Sequence, residues 1–370
     1  MRQVTKGISI AVLCLLCTAM VRAACAAEAG RTTAAKTGMA KESRGKAPLV
    51  GVSWSNFQEE RWKRDEAAIT KVLAKYGAEY ISADAEASND KQMRDIDALV
   101  ARGAKAIIVL AWDADAILPA IERAKQHGVA IIAYDRLIQS RNVFYITFDN
   151  VEVGRIQARE ILKRQPRGDY AFIKGAATDP NSTMLYKGQM EVLDSALRRG
   201  DIRNVGDQFT EGWKPENARS NMLEMLRKNR GRIDAVVASN DGTAGGAIDA
   251  LHALGLGLKD IPVSGQDCDT AALNRIARGQ QSVSVFKDPR KLGGAAAWVA
   301  SELAQRKKLS DIVGTIQWAG GSRQIPLTAL LLRPLAITAR NLELVLASRW
   351  ISKEKLCAGV DPKTAPSACK

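Results

Sequence analysis

The sequence predicts an α/β fold of two lobes, each built on a doubly wound parallel sheet, and three observations carry that prediction. From Pro48 onward short β-rich apolar runs trade places with helical patterns, the signature of parallel βαβ units with helices on both faces. The chain has 370 residues, 46% hydrophobic and 25% charged, so it can fill two ordinary cores, and two similar halves fit the length better than one very wide sheet. Several apolar runs also end abruptly in polar or charged pairs. The sharpest is AIIAYDR at 130–136, a buried strand that delivers Asp135 and Arg136 together at its carboxyl end, where open parallel sheets bind ligands.

Residues 49–54 (LVGVSW) form a strand, 59–76 carry helical spacing that stops at Gly77, and a second strand begins at Tyr80 and Ile81. A helix over 90–102 is stopped by Gly103, AIIVL at 106–110 is a buried strand, 117–126 is a helix ending before Gly128, and 130–133 is the next strand. A glycine just past the last periodic residue is a common helix stop. The pattern breaks at YITFDN, 145–150, and a second set follows: helices over 151–162, 186–197, 216–228 and 244–254, with strands at 170–173, around Val205, and at 235–238, 263–264 and 282–286. A helix over 290–303, extended pieces at 312–318 and 330–332, and a final helix over 341–347 complete the chain.

Ahead of these elements, Arg2 and Lys6 precede an apolar run over 8–21, and small residues around Ala24, Cys25 and Ala26 offer an A-x-A cleavage site. Together they read as a secretory signal peptide over 1–26. Lipid attachment at Cys25 is the lesser alternative, because Arg22 stands where an apolar residue is expected. Residues 27–47, rich in Ala, Gly, Lys and Thr without periodicity, read as a flexible leader. Loss of Arg2, Lys6 and Arg22 with the signal lowers the formal net charge from +14 to +11. The remaining Lys and Arg residues are scattered, with no helix-turn-helix or zinc pattern, so the basicity is general surface charge and no nucleic-acid partner is expected. Cys14 and Cys17 leave with the signal and Cys268 stands alone. Cys357 and Cys369 lie close together in the tail of an exported chain, where a disulfide between them is expected.

Strand ends project into the cleft between two such lobes. Beyond Asp135 and Arg136 they offer Asn181 in the loop after AFIKG, Asn240 after AVVAS, Asp267 after VSGQ and Lys287 after SVSVF. Arg61 and Trp62 stand at the first helix start, and Trp213 lies in the loop QFTEGWKPEN. Plainer roles are open to each kind: a surface ion pair for Asp135 and Arg136, a helix cap for Asn240, helix core for Trp62, and a glycosylation acceptor for Asn181 in Asn-Ser-Thr. Jointly they suit a monosaccharide, whose hydroxyls donate and accept and so match carboxylates, guanidinium forks and amides. Its C–H faces suit flat indoles that exclude water. Phosphate would instead want a glycine-rich loop opening a helix, and neither phosphate-binding glycine pattern occurs. His127 and His252 fall near helix ends, no histidine pair has metal spacing, G-x-S-x-G is missing and Cys268 has no neighbouring histidine. No metal, cofactor or enzymatic activity is therefore expected.

With these residues in view, the chain resembles the type I periplasmic sugar-binding proteins of ABC importers, and among them the D-xylose binders, over about 48–357. The resemblance is carried by EERW at 59–62, AYDR at 133–136, FDNVEVG at 148–154, GWKPENA at 212–218, VVASNDGTAGGAI from 236, SGQD from 264 and VFKDP from 285. It implies two lobes joined by a three-segment hinge with one sugar between them. Arg61, Asp135, Arg136, Asn181, Asn240, Asp267 and Lys287 would hydrogen-bond that sugar, and Trp62 and Trp213 would wall it in. Crossings near Asp149, near Lys287 and around Pro326 would give one lobe over 48–148 plus 288–326, another over 149–286 plus 327–356, and a tail over 357–370.

It further implies a monomeric periplasmic receptor, D-xylose favoured over glucose, arabinose, ribose or galactose, that serves a membrane permease and has a chemoreceptor as a further partner. A sugar-responsive transcription regulator of the same fold is the remaining alternative. It would need a DNA-reading helix-turn-helix where residues 1–47 carry an export signal and leader. Three features depart from the family pattern: Pro180 in place of Asn, Tyr186 in place of Arg, and SWSNF at 53–57 where the xylose binders are more acidic. They leave pentose and hexose both open.

Overall fold

The computed structural model describes residues 47–257 and 260–370; the expected signal peptide, and all but the last residue of the expected leader, lie outside them. The first run of elements is β1 (Leu49–Trp54), α1 (Arg61–Lys75), β2 (Glu79–Asp84), α2 (Asn89–Ala101), β3 (Ala106–Val109), α3 (Leu118–Gln126), β4 (Ala130–Tyr134) and β5 (Phe144–Phe148). The second is α4 (Asn150–Arg164), β6 (Gly168–Lys174), α5 (Pro180–Arg198), β7 (Ile202–Phe209), α6 (Pro215–Lys228), β8 (Ala235–Ala238), α7 (Asp241–Ala253), α8 (Thr270–Ala277) and β9 (Ser284–Phe286). Then come α9 (Pro289–Ala304), β10 (Ile316–Trp318), β11 (Leu327–Leu332), β12 (Leu335–Ile337), α10 (Glu343–Ala347) and α11 (Lys353–Cys357).

β3, β5 and β8 are buried at every residue, as strands covered by helices on both faces must be. They belong to two sheets. The first has the order β10-β11-β5-β4-β3-β1-β2, parallel throughout except where β10 meets β11. α1 and α9 cover one face through Ile69, Leu73, Leu292 and Ala296, and α2 and α3 the other through Ile96, Leu99, Ala120 and Ile121. The second sheet runs β7-β6-β8. Backbone bridges Val236 to Val263 and Gln266 to Val285 carry it on to β9, and β12 pairs antiparallel with β9. α6 and α7 pack on one face and α4 and α5 on the other. Strand order reverses between β1 and β3 and between β6 and β8, so each sheet has a switch point where a crevice opens beyond the strands' carboxyl ends.

The chain passes between the sheets three times: between Phe148 and Asn150, between Phe286 and Pro289, and between Leu332 and Leu335. The third crossing corrects the expected one around Pro326. β11 lies parallel to β5, Thr328 opposite Phe144 and Leu332 opposite Phe148, because LTALLL covers an edge that would otherwise leave a row of unpaired backbone groups. Residues 327–332 therefore belong to the first lobe. Other boundaries also move. The loop expected around Asn181 is the cap and first turn of α5, with Asp179 as N-cap and Pro180 at the first position, a placement that suits a residue lacking an N–H. α8 and β12 went unread, and α10 is followed by α11. Cys357 and Cys369 are disulfide-bonded with Cα atoms 5.5 Å apart. The expected tail is folded onto Leu342, Val345 and Leu356 through Ala368.

Two glycines let α4 and α5 touch backbone to backbone. A Cβ at Gly154 would stand 2.0 Å from the Leu185 carbonyl oxygen, and one at Gly188 would stand 1.9 Å from that of Val151. Gly188→Ala is expected to destabilise the protein by about 3 kcal/mol, the upper end of overpacking costs. Gly294→Ala in α9, whose Cβ would meet only Val72 Cγ2 at 3.6 Å, should be neutral or stabilise by up to about 1 kcal/mol. Urea-unfolding curves of the two variants check this ordering.

Candidate functional site

Four buried charged side chains meet where the two crevices face each other. Arg61, in the first turn of α1, places Nη1 3.1 Å from Asp135 Oδ2 and 3.1 Å from Asp267 Oδ1. Lys287, at the second crossing, places Nζ 3.4 Å and 3.5 Å from the same two oxygens. Asp135 follows β4 and Asp267 follows the isolated bridge at Gln266, and both adopt left-handed backbone, with φ of 60° at Asp135 and 92° at Asp267. Asp accepts that region more readily than most residues. Backbone bonds secure each turn: Asp135 N–H donates to Ile146 O at 2.8 Å and Asp267 N–H to Val285 O at 2.9 Å.

The surroundings set the charge states. Burial alone would raise the Asp135 carboxyl, but Lys287, Arg61 and Arg136 outweigh it and hold the group below its usual range. Asp65, one turn beyond Arg61 on the same helix face, accepts from Arg61 Nε at 3.3 Å and from the Tyr134 hydroxyl. There burial wins over Arg61 and Tyr134, and the carboxyl is pushed up to about 6.

A second network fixes the walls. Trp62 Nε1 donates to Glu59 Oε2 at 2.5 Å and Trp213 Nε1 to Asp179 Oδ2 at 3.2 Å. Arg136 lies between the two acids, its Nε 2.9 Å from Asp179 Oδ2 and its Nη2 3.6 Å from Glu59 Oε1, while its Nη1 donates to Ala111 O at 2.9 Å. One guanidinium thus ties together the carboxylates that orient both indoles. Burial raises Glu59 and Asp179, with Arg136 opposing it in each case. Glycine is required at residue 175, because a Cβ there would lie 2.1 Å from Trp213 Cη2.

Asn181 bridges further, its Nδ2 donating to Asp135 Oδ1 at 3.1 Å and its Oδ1 accepting from Asn150 at 2.9 Å. Asn240 caps α7, Oδ1 accepting from Thr243 N–H at 2.8 Å; its cap role and its place on the cleft wall coexist. Gln266 Oε1 is buried without a hydrogen-bond partner among the described residues.

All nine residues read from the sequence, Arg61, Trp62, Asp135, Arg136, Asn181, Trp213, Asn240, Asp267 and Lys287, border this one space. The sequence reading missed Glu59, Asp179 and Gln266, which border it too. Each stands within two positions of a residue it did find, but two of them act by holding another side chain. Pro180, Tyr186 and residues 53–57 lie outside the lining; Tyr186 packs edge-on to Phe172 at 5.7 Å. The gap left among these side chains admits little more than a water molecule. A ring-sized molecule fits only by replacing contacts among the four central charges.

The chemistry offered is fixed donors beside fixed acceptors in a space that Trp62 and Trp213 also border. The Cys268 thiol beside it is buried and pushed well up by that burial and by Asp241. Among the described residues no group of three or more His, Cys, Asp or Glu is placed to hold a metal ion.

Two α/β lobes, three crossings and one polar space between facing sheet ends define the class of two-lobed binding proteins. The chain belongs to the periplasmic binding protein family, a class of binding proteins and not of enzymes: a family model described as "Periplasmic binding protein domain" matches residues 50–308. It is 36% identical over 309 residues to the D-xylose-binding periplasmic protein of Haemophilus influenzae, covering 83% of this chain and 91% of that one. With the protein of the same description from Escherichia coli the identity is 35% over 308 residues, covering 82% and 91%. Among solved structures, an ABC transporter solute binding protein from Clostridium phytofermentans with bound β-D-glucose superposes with a TM-score of 0.74 at 28% identity, over 83% of this chain and 99% of that one. A carbohydrate transporter solute binding protein from Chloroflexus aurantiacus in complex with D-glucose gives 0.74 at 25% identity, over 83% and 97%.

Asp65 makes stability depend on pH. Its folded pKa of about 6 lies above the ordinary 3.8, so the folded state binds the proton more tightly. The stabilisation is fully present below about pH 4 and is lost as pH rises to about 6. Asp65→Asn removes the titration. The stability of wild type relative to this variant should fall by on the order of 3 kcal/mol between pH 4 and pH 7, measured by chemical unfolding at each pH.

Proposed function

We propose that this protein is a periplasmic receptor that encloses one monosaccharide, with D-xylose the favoured sugar, and delivers it to the membrane permease of an ABC importer. The observation that carries the reading is the central set of donors and acceptors in one space that two indoles also border, each indole fixed by its own carboxylate. An aldopyranose presents alternating hydroxyls to Asp135, Asp267, Arg61, Arg136, Lys287 and Asn240, and C–H faces to Trp62 and Trp213. The unpartnered Gln266 Oε1 is an acceptor suited to a sugar hydroxyl. The names of the Haemophilus influenzae and Escherichia coli relatives support D-xylose.

Arg61, Asp135 and Arg136 come from the first lobe, Asn181, Asn240, Gln266 and Asp267 from the second, and Lys287 from a crossing. Only the closed arrangement brings all of them to one ligand, so the sugar biases a hinge at the three crossings towards closure. The signal peptide read over 1–26 accounts for export to the periplasm, where the protein works as a monomer and also serves a chemoreceptor. Among the described residues no helix is long and apolar enough to cross a membrane. A second reading keeps the same receptor but takes an aldohexose, favoured by the solved structures that hold D-glucose.

Calorimetry of the mature protein with D-xylose, D-glucose, D-ribose and L-arabinose tests both. D-xylose should bind tightest. Asp135→Ala, which leaves Arg61 and Lys287 short of a buried partner, should weaken binding by at least about a hundredfold. No heat and no thermal shift with any of the four sugars would overturn the receptor reading.

A further inference from the structure

The C-terminal segment reaches the binding site through one side chain. Trp350, which follows α10 and is 6% exposed, donates its indole N–H to the Cys268 carbonyl at 2.7 Å. Cys268 directly follows Asp267, and both residues hold left-handed backbone, at 57° and 92°. A side-chain bond to the carbonyl between Cys268 and Asp269 therefore acts on the turn that aims the Asp267 carboxylate.

The same indole is gripped from the opposite lobe. The Arg64 guanidinium of α1 lies over its ring, Cζ 3.9 Å from the centroid, and Arg290 of α9 stands at 5.6 Å. Arg64 Nη1 also donates to Trp350 O at 2.9 Å, and Arg290 Nη1 to Ser348 O at 2.7 Å. Trp350 itself packs within the second lobe, beside Phe286 at 4.9 Å. Next to it Glu60, held by Arg64 at 2.8 Å, accepts from the Thr270 N–H at 3.1 Å and hydroxyl at 2.9 Å at the start of α8. Both ends of the 267–270 turn region are thus engaged by groups whose other partners lie on the first lobe.

We propose that Trp350 is a positioning residue for ligand capture. When the lobes are together, Arg64 stacks on the indole and the indole N–H fixes the Cys268 carbonyl, so that Asp267 presents its carboxylate to Arg61, Lys287 and the ligand. Trp350 does not border the central space, and its influence passes through Asp267. It therefore governs how long a closed complex lasts more than how fast it forms. This inference rests on the sugar-receptor reading above.

The test compares wild type, Trp350→Phe, Arg64→Met, Asp267→Asn and the Trp350→Phe/Asp267→Asn double variant. Sugar association and dissociation rates are measured by stopped flow, with melting temperatures alongside. The ligand is whichever of the four aldoses wild type binds tightest. Trp350→Phe keeps an aromatic ring under Arg64 but loses the N–H together with one ring of the indole, so dissociation should quicken by at least about three- to tenfold, the range for one hydrogen bond, with association nearly unchanged. In the double variant the loss should be no greater than in Asp267→Asn alone, because both act at one point.

An unchanged dissociation rate in Trp350→Phe, or losses that simply add in the double variant, would overturn the proposal even if the melting temperature falls. Should Trp350→Phe fail to fold, Arg64→Met leaves the tryptophan in place, and faster dissociation there supports the coupling while a wild-type rate overturns it. A wild type that binds none of the sugars overturns the receptor reading and this inference with it. A wild type that binds while Trp350→Phe is unaffected overturns this inference alone.

Discussion

Arg61 and Lys287 against Asp135 and Asp267 form the constraint on which the rest of the site depends. A buried charge survives only when paired and hydrogen-bonded, and these four are drawn from α1, the end of β4, the second lobe and a crossing. The pairing is therefore also a force between lobes. It explains why both aspartates hold left-handed backbone, a costly conformation kept only where surrounding structure demands it. It also explains why a ligand with several hydroxyls suits the space: it substitutes hydrogen bonds for ion contacts and leaves no charge stranded.

Around that charged centre the walls are preorganised. Arg136 holds Glu59 and Asp179, which hold Trp62 and Trp213, so the planes that face a ligand are set before it arrives and less freedom is lost on binding. The raised carboxyls of Glu59, Asp65 and Asp179 are the cost of burying so many acids in one place.

Much of this was legible in the sequence, for a local reason. Parallel strands covered on both faces are short apolar runs, as AIIV in β3 shows, and helices such as α1 to α3 stop at Gly77, Gly103 and Gly128, all at positive φ. Residues at the ends of such strands are candidates for a cleft on position alone, and this is how Asp135, Asn240 and Asp267 were found. What escaped was non-local or subtle. β11 was assigned to the wrong lobe because its partner β5 lies far upstream and no local pattern names it. α8 spans 8 residues, scarcely two turns in which to show a helical period. Glu59 and Asp179 hold tryptophans through hydrogen bonds that spacing does not disclose. Tyr186 looked like a departure at the site, yet its ring packs against Phe172.

The placement of β11 beside β5 also has a temporal meaning. Neither lobe is a continuous stretch of chain, and the first sheet lacks its β11 and β10 strands until the whole second run of elements has been made. A polypeptide that emerges amino-terminus first carries the open edge of β5 throughout that interval, and the pairing that closes it is of high sequence separation and correspondingly slow. The lobes are thus interlaced in maturation as well as in space: the half that is begun first waits for most of the other to be made, and the second lobe in turn is completed only by β12 and the segment after it.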